Sequence, residues 1–217
     1  MRTRKGGAIS RAALAVPADV LAPRLLGQRL VRLLESGERL EGEIVEVEAY
    51  LGAPDRACHT FGGRRTERNE VMYAAASTAY VYFTYGMHFC MNIVCGGTWQ
   101  KEGDAGGGVG QAVLVRALRP IEGLDAMRRN RERRSRAALR ERELCGGPAR
   151  LCQALAIDRA LNGQDMLVEG PLMLLPGEGV PARRIARAKR IGIESAGAWA
   201  RRLLRWYVKD CEHVSVR

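Results

Sequence analysis

Two repeat lengths divide the apolar and polar positions of this chain. Strict alternation marks EGEIVEVEAY (41–50), where Val45, Val47 and Ala49 point to one side of a strand and Ile44, Glu46, Glu48 and Tyr50 to the other. A second alternating stretch is TAYVYFTYGMHFCMNI (78–93), with strand formers from Tyr80 to Phe83 and a restart at Phe89, Met91 and Ile93. Gly86 can take a positive φ, so this stretch predicts a β-hairpin turning near Tyr85-Gly86-Met87. AVLVRAL (112–118), apolar except for Arg116, and LLRWYV (203–208) predict two more strands. Helical spacing covers residues 18–35, opening at Asp19, then a short segment at 70–76 and a segment that begins at Pro120 and runs through MRRNRERRSRAALRERE. ARLCQALAI (149–157) and a turn at 195–202 complete the helical set. Between these lie a Gly- and Arg-rich loop at 57–69, a glycine-rich mobile turn at 96–111 and a Gly- and Pro-bearing loop at 162–181. No internal repeat or interdomain linker interrupts the mixture.

At 217 residues the chain suits one ordinary domain, expected at 18–217 behind a disordered basic tail at 1–17. An organelle-targeting peptide is the alternative reading of those first residues. Lys and Arg outnumber Asp and Glu by 35 to 24, and a formal charge of +11 suits a protein that faces polyanions. Arginine dominates the basic set, which favours bidentate phosphate contact, although a GC-rich genome raises arginine without functional cause. The six cysteines stand at 58, 90, 95, 145, 152 and 211 with no CxxC pair, so buried thiols and no metal site are expected. No apolar run reaches membrane-spanning length. The arginine-rich segment after Pro120 reads either as a solvated helix laced with ion pairs or as a DNA-backbone contact.

Chemistry concentrates in the strands. Glu48, beside Tyr50 in an apolar strand, is costly to keep charged without a partner, and Arg116 is its natural one. Together they could orient a water molecule as nucleophile, or they could form a structural ion pair; Glu46, on the same face, competes for the role of base. Tyr50, His59 and Tyr82 could supply π-faces that stack a flat base and attract a cationic one. Asn92 could contact a base edge or satisfy strand-end backbone. Tyr85, at a hairpin tip, could enter a base stack as a wedge, or the hairpin could be an aromatic part of the core.

VEVEAYLG (45–52), the histidine loop with RRTERN (59–69), YVYFTYGMHFCMN (80–92), VLVRALRPIEGL (113–124), RELCGGPARLCQALAI (142–157) and WARRLLRWYV (199–208) together resemble the 3-methyladenine DNA glycosylase family. The resemblance spans about residues 20–210, with the blocks in one order. It implies an α/β (α+β) fold: a single mixed domain with a curved antiparallel β-sheet, flanking helices and a protruding β-hairpin. It also implies base excision repair, in which alkylated or deaminated purines are flipped from double-stranded DNA and the N-glycosidic bond is hydrolysed to leave an abasic site. No cofactor is needed and a monomer is expected, cytoplasmic at the nucleoid in a prokaryote or nuclear in a eukaryote.

Carried across residue by residue, Glu48 resembles the general base, with Arg116 and the backbone carbonyl of Val208 holding the water. Tyr50, His59 and Tyr82 resemble the base sandwich, the histidine also offering its backbone N–H, and Asn92 the residue that crowds the amino group of guanine. Tyr85 resembles the intercalating tyrosine, and Met87, Thr66, Arg64 and Met72 resemble DNA-contacting positions. Two departures are His88, where a tyrosine is common, and Glu67, which replaces a proline. No lysine occupies an evident Schiff-base position, so strand cleavage is not expected. The competing class is a non-catalytic DNA-lesion-binding protein, which has no use for a water-holding carboxylate. A small-molecule hydrolase conflicts with the charge.

Overall fold

The structure is a computed structural model and describes residues 8–84, 86–96, 109–132 and 139–216. Most of the glycine-rich turn, six residues of the arginine-rich segment and Tyr85 therefore lie outside the described residues. Helices α1 (Arg11–Leu14) and α2 (Ala18–Leu25) open the chain, followed by β1 (Arg29–Leu33) and β2 (Arg39–Tyr50). The hairpin is β3 (Ala79–Thr84) and β4 (His88–Cys95), and β5 (Gln111–Glu122) follows. Helices α3 (Leu124–Glu132), α4 (Glu141–Leu144) and α5 (Pro148–Ala154) precede the short strands β6 (Leu172–Leu175), β7 (Ile185–Ala188) and β8 (Arg205–Val208).

All eight strands join one antiparallel sheet, in the order β3-β4-β5-β2-β1-β6, with β8 pairing both β2 and β7. The fold is α+β, and the sheet is not closed. β2 is its central strand: β5 runs along one edge, while the other edge is shared between β1 at Arg39–Glu43 and β8 at Glu46–Glu48. The β2–β5 ladder slips three times, leaving Ile121 of β5, Val45 of β2 and Arg116 of β5 without a cross-strand partner. Such bulges re-aim side chains locally, and here they bring Glu46, Glu48 and Arg116 together. The core packs Leu21, Leu25 and Leu26 of the α2 region with Ile44, Val45, Val47 and Ala49, and Met127, Leu144 and Leu151 of the later helices join the same cluster.

Several expectations change. The helix over 18–35 stops at Leu25: Leu26 is extended, Gly27 turns with φ +82°, and Arg29–Leu33 is a strand. A Cβ at Gly27 would stand 2.7 Å from Gly179 backbone, so this turn admits only glycine. Pro120 does not begin a helix; it sits in β5 opposite Gly42, next to a slip in the ladder where a missing N–H is tolerated. The loop at 162–181 contains β6, which adds an edge strand to β1. Of the expected basic tail, residues 1–7 lie outside the described residues, while Arg11–Leu14 is helical with Leu14 buried. Arg11 also donates to the Ala76 carbonyl at 2.6 Å and to Ser77 Oγ at 2.7 Å.

Candidate active site

The Glu48 carboxylate is fully enclosed and holds two hydrogen-bond donors and one ion-pair partner. Oε1 lies 3.1 Å from the Arg116 guanidinium as an ion pair and accepts from the Ile191 backbone N–H at 2.8 Å, while the Tyr50 hydroxyl donates to Oε2 at 2.9 Å. Burial raises its pKa above the ordinary carboxylate range, opposed by Arg116, the Ile191 amide and the Tyr50 hydroxyl and reinforced by Glu46. Burial likewise raises the Tyr50 hydroxyl well above its usual value, so it is a donor at neutral pH.

Glu46 is held differently. Oε1 accepts from Arg116 Nε at 3.1 Å and from Arg205 at 2.8 Å, and Oε2 accepts from the Ser215 amide at 2.7 Å. Two carboxylates and two guanidiniums thus form one buried, charge-balanced network. Its two ends differ, because Tyr50, Arg116 and Ile191 around Glu48 all line a cavity of about 400 Å³, whereas Glu46 turns toward Arg205 and the C-terminal segment. Glu48 stands directly behind that wall.

The cavity is walled by Tyr50, His59, Met72, Tyr80 and Tyr82, with Cys58, Cys90, Asn92 and the 191–196 turn completing it. This volume suits a flat bicyclic ligand. The rings of His59 and Tyr82 meet edge to face at 4.6 Å, and those of Tyr80 and Tyr82 lie 5.3 Å apart. His59 Nδ1 bonds the Tyr80 hydroxyl at 2.8 Å. The aromatic walls lower the His59 pKa by desolvation, and the Arg68 guanidinium lowers it further; the ring keeps contact with solvent, which screens the effect. Asn92 sits at the base of the hairpin opposite Tyr80 and donates to its carbonyl at 3.1 Å.

The loop that carries His59 is tied by its own polar groups. Asn69 donates to the His59 carbonyl at 2.8 Å and to that of Arg64 at 3.0 Å, while its Oδ1 accepts from the Thr66 amide at 2.7 Å. Arg64 and Thr66 lie on this loop outside the cavity lining, Arg64 exposed and Thr66 half-buried. Met72, 2% exposed, is a cavity wall rather than a surface contact. Gly86 turns the hairpin with φ +68°, and Met87 is 57% exposed at its tip.

Glu48, Arg116, Tyr50, His59, Tyr82, Asn92 and Met72 therefore converge on one cavity or the wall behind it. Val208 does not: it pairs with Ile185 and borders a separate small cavity among Tyr207–Cys211. The backbone that reaches Glu48 is that of Ile191, which the sequence reading missed, as it missed Tyr80, Asn69 and the buried pair Asp55–Arg190. The pattern RRIARAKRIGI held a signal, since an apolar Ile-Gly-Ile ending a basic run marks a turn that buries its backbone.

Five of the six cysteines are buried, and all are unpaired thiols. Among the described residues, no group of three or more His, Cys, Asp and Glu side chains could hold a metal ion, and no helix is long and apolar enough to cross a membrane.

Known proteins share this chain's sequence over nearly its whole length. Residues 12–212 match the model of the methylpurine-DNA glycosylase family. A human DNA-3-methyladenine glycosylase is 46% identical over 205 residues, covering 92% of this chain and 65% of that protein. The mouse protein of the same name is 45% identical over 206 residues, covering 92% and 59%. The chain thus spans about three fifths of these mammalian relatives, whereas a Myxococcus xanthus relative, 43% identical over 201 residues, is covered to 90%. With a family match from residue 12 to residue 212 and relatives of this similarity, the chain belongs to the methylpurine-DNA glycosylase family.

Proposed function

We propose that this protein is a monofunctional DNA glycosylase. It flips alkylated or deaminated purines, namely 3-methyladenine, 7-methylguanine, hypoxanthine and ethenoadenine, out of duplex DNA and hydrolyses the N-glycosidic bond. The observation that carries the reading is a fully buried carboxylate, Glu48, held by Arg116, Tyr50 and the Ile191 amide behind an aromatic cavity in a chain of charge +11. Its relatives' names support the reaction and the damaged base.

Each element has a task. The basic surface holds phosphates, Tyr85 with Met87 wedges the stack as the damaged nucleotide leaves, and Arg64 and Thr66 steady the backbone. Tyr50, His59 and Tyr82 sandwich the extruded base, more strongly when methylation makes it cationic. Asn92 crowds the exocyclic amino group of guanine. Glu48 takes the proton of a water molecule that attacks the anomeric carbon, and Arg116 favours the ionised carboxylate from which that transfer starts. The base leaves with the bonding pair, and the sugar keeps the water's oxygen. Damage helps, because a cationic purine is a better leaving group and a poorly stacked lesion reduces the extrusion cost by a few kcal/mol. No lysine lines the cavity among the described residues, which supports an abasic product without strand cleavage. The partner is damaged duplex DNA, met by a monomer in the nucleoid or nucleus.

The direct test incubates the protein with duplex containing one hypoxanthine or ethenoadenine, followed by alkali. Cleavage at the lesion only after alkali is the expected result. Tight lesion binding with no released base would instead make the protein a lesion-binding module.

A further inference from the structure

We propose that the buried ion pair Asp55–Arg190 is the positioning element of this site, holding Tyr50 and the Ile191 amide in register with Glu48. The inference rests on the reading of Glu48 as base.

Arg190 grips Asp55 with both terminal nitrogens, at 2.6 and 2.8 Å, and both side chains are fully buried. The same guanidinium donates to the Ala49 carbonyl at 2.9 Å and lies 4.7 Å from the Tyr50 ring centroid. Asp55 in turn accepts from the Leu51 amide at 3.1 Å and the Ala57 amide at 3.0 Å. One ion pair therefore ties the end of β2, the loop that leads to His59 and the turn at 189–193. Each of these segments carries a group of the site: Tyr50, His59 and the Ile191 N–H. Arg190 and Ile191 are adjacent in the chain, so the guanidinium anchor leaves the Ile191 amide little freedom relative to Glu48.

Buried ion pairs lose much of their attraction to desolvation, and Arg190 Nε is buried with no hydrogen-bond partner among the described residues. Neither Asp55 nor Arg190 lines the cavity, so the pair acts through Tyr50 and Ile191 rather than on the substrate. A flat, bidentate guanidinium suits this task, since it can stack on a ring and clamp a carboxylate at once.

The consequence for Glu48 has a sign. The groups that face it are Arg116 of β5, Glu46 and Tyr50 of β2, Arg190 of the turn, Tyr82 of β3 and Cys90 of β4. The Ile191 N–H and the Tyr50 O–H both favour the ionised carboxylate. Loosening them raises its pKa further, and a base that must be ionised then loses rate from the acid side.

Arg190→Lys keeps the charge but not the fork, and Asp55→Asn removes the anion; both are compared with wild type and with Glu48→Gln. Single-turnover excision of hypoxanthine from duplex is measured as a function of pH, beside the melting temperature and affinity for duplex bearing a stable abasic analogue. The inference expects each folded variant to bind the analogue almost normally, to excise on the order of a hundredfold more slowly, and to have its acid limb moved to higher pH. Wild-type rates and limb in a folded variant overturn it, as does a slower rate with an unmoved limb. Failure of both variants to fold also overturns it, because the pair would then be a strut of the domain. An inactive Glu48→Gln beside a normal Arg190→Lys defeats this inference alone, whereas an active Glu48→Gln defeats the underlying reading of the base.

Discussion

Glu46 and Glu48 offer a paired perturbation, because they share Arg116 and differ in what else they hold. Glu46→Gln removes the common anion of two buried guanidiniums: Arg205 at 2.8 Å has no other carboxylate within reach among the described residues, and Arg116 keeps only Glu48. Breaking a buried ion pair in this way costs about 3–5 kcal/mol. Glu48→Gln is milder for the fold, since Arg116 retains Glu46 at 3.1 Å and the new amide oxygen can still accept from Ile191. A loss of about 1–3 kcal/mol is expected. Catalysis should reverse the ranking. Removing a general base costs roughly 10²–10⁴ in rate, or about 2.7–5.4 kcal/mol of barrier at about 1.36 kcal/mol per decade. Glu46, turned away from the cavity, should cost less than about tenfold in molecules that remain folded. The assay joins urea unfolding with single-turnover excision from one hypoxanthine duplex at saturating enzyme. Equal rate losses in the two variants, or a Glu48→Gln protein with near-normal turnover, would refute the division of labour.

Tyr50→Phe removes the 2.9 Å donor to Glu48, whose pKa burial already raises, so the acid limb of the pH–rate profile should move to higher pH with little change on the alkaline side. A uniform loss at all pH would show that the hydroxyl does not tune the base. Asn92→Ala should allow measurable release of guanine from undamaged duplex, and unchanged rejection would place the selectivity elsewhere. Affinity for undamaged duplex should fall steeply with salt, by a log–log slope of several, as a surplus of eleven positive charges requires; a flat plot would mean that this surplus does not face the DNA.

Long alternation made β2, β5 and the hairpin legible, because a strand of 12 residues repeats its pattern several times. The four-residue strands β6 and β7 were not, since one alternation, flanked by Pro and Gly in β6 and set in a basic run in β7, is indistinguishable from loop. LLGQRLVRLL fits either period, and only the glycine at its third position divides helix from strand. In the site, charged or aromatic residues inside apolar strands stood out: Glu48, Arg116, Tyr50, Tyr82 and Asn92. Ile191 did not, because it acts through a backbone N–H that every residue but proline possesses. Arg190 was one arginine among many, and its partner Asp55 lies 135 positions away. Val208 shows the converse failure, as a position matched by motif that packs away from the cavity.

The cross-ties of Asn69 have a consequence for how such an enzyme can diversify. Because the Asn69 amide ties the 59–69 segment from within, the outward side chains of Arg64 and Glu67 contribute little to its shape. Substitutions there can alter grip on the sugar–phosphate chain while His59 keeps its place against Tyr80 and Tyr82. On the proposed function, affinity for the double helix and choice of damaged base are thereby separable traits, open to independent selection.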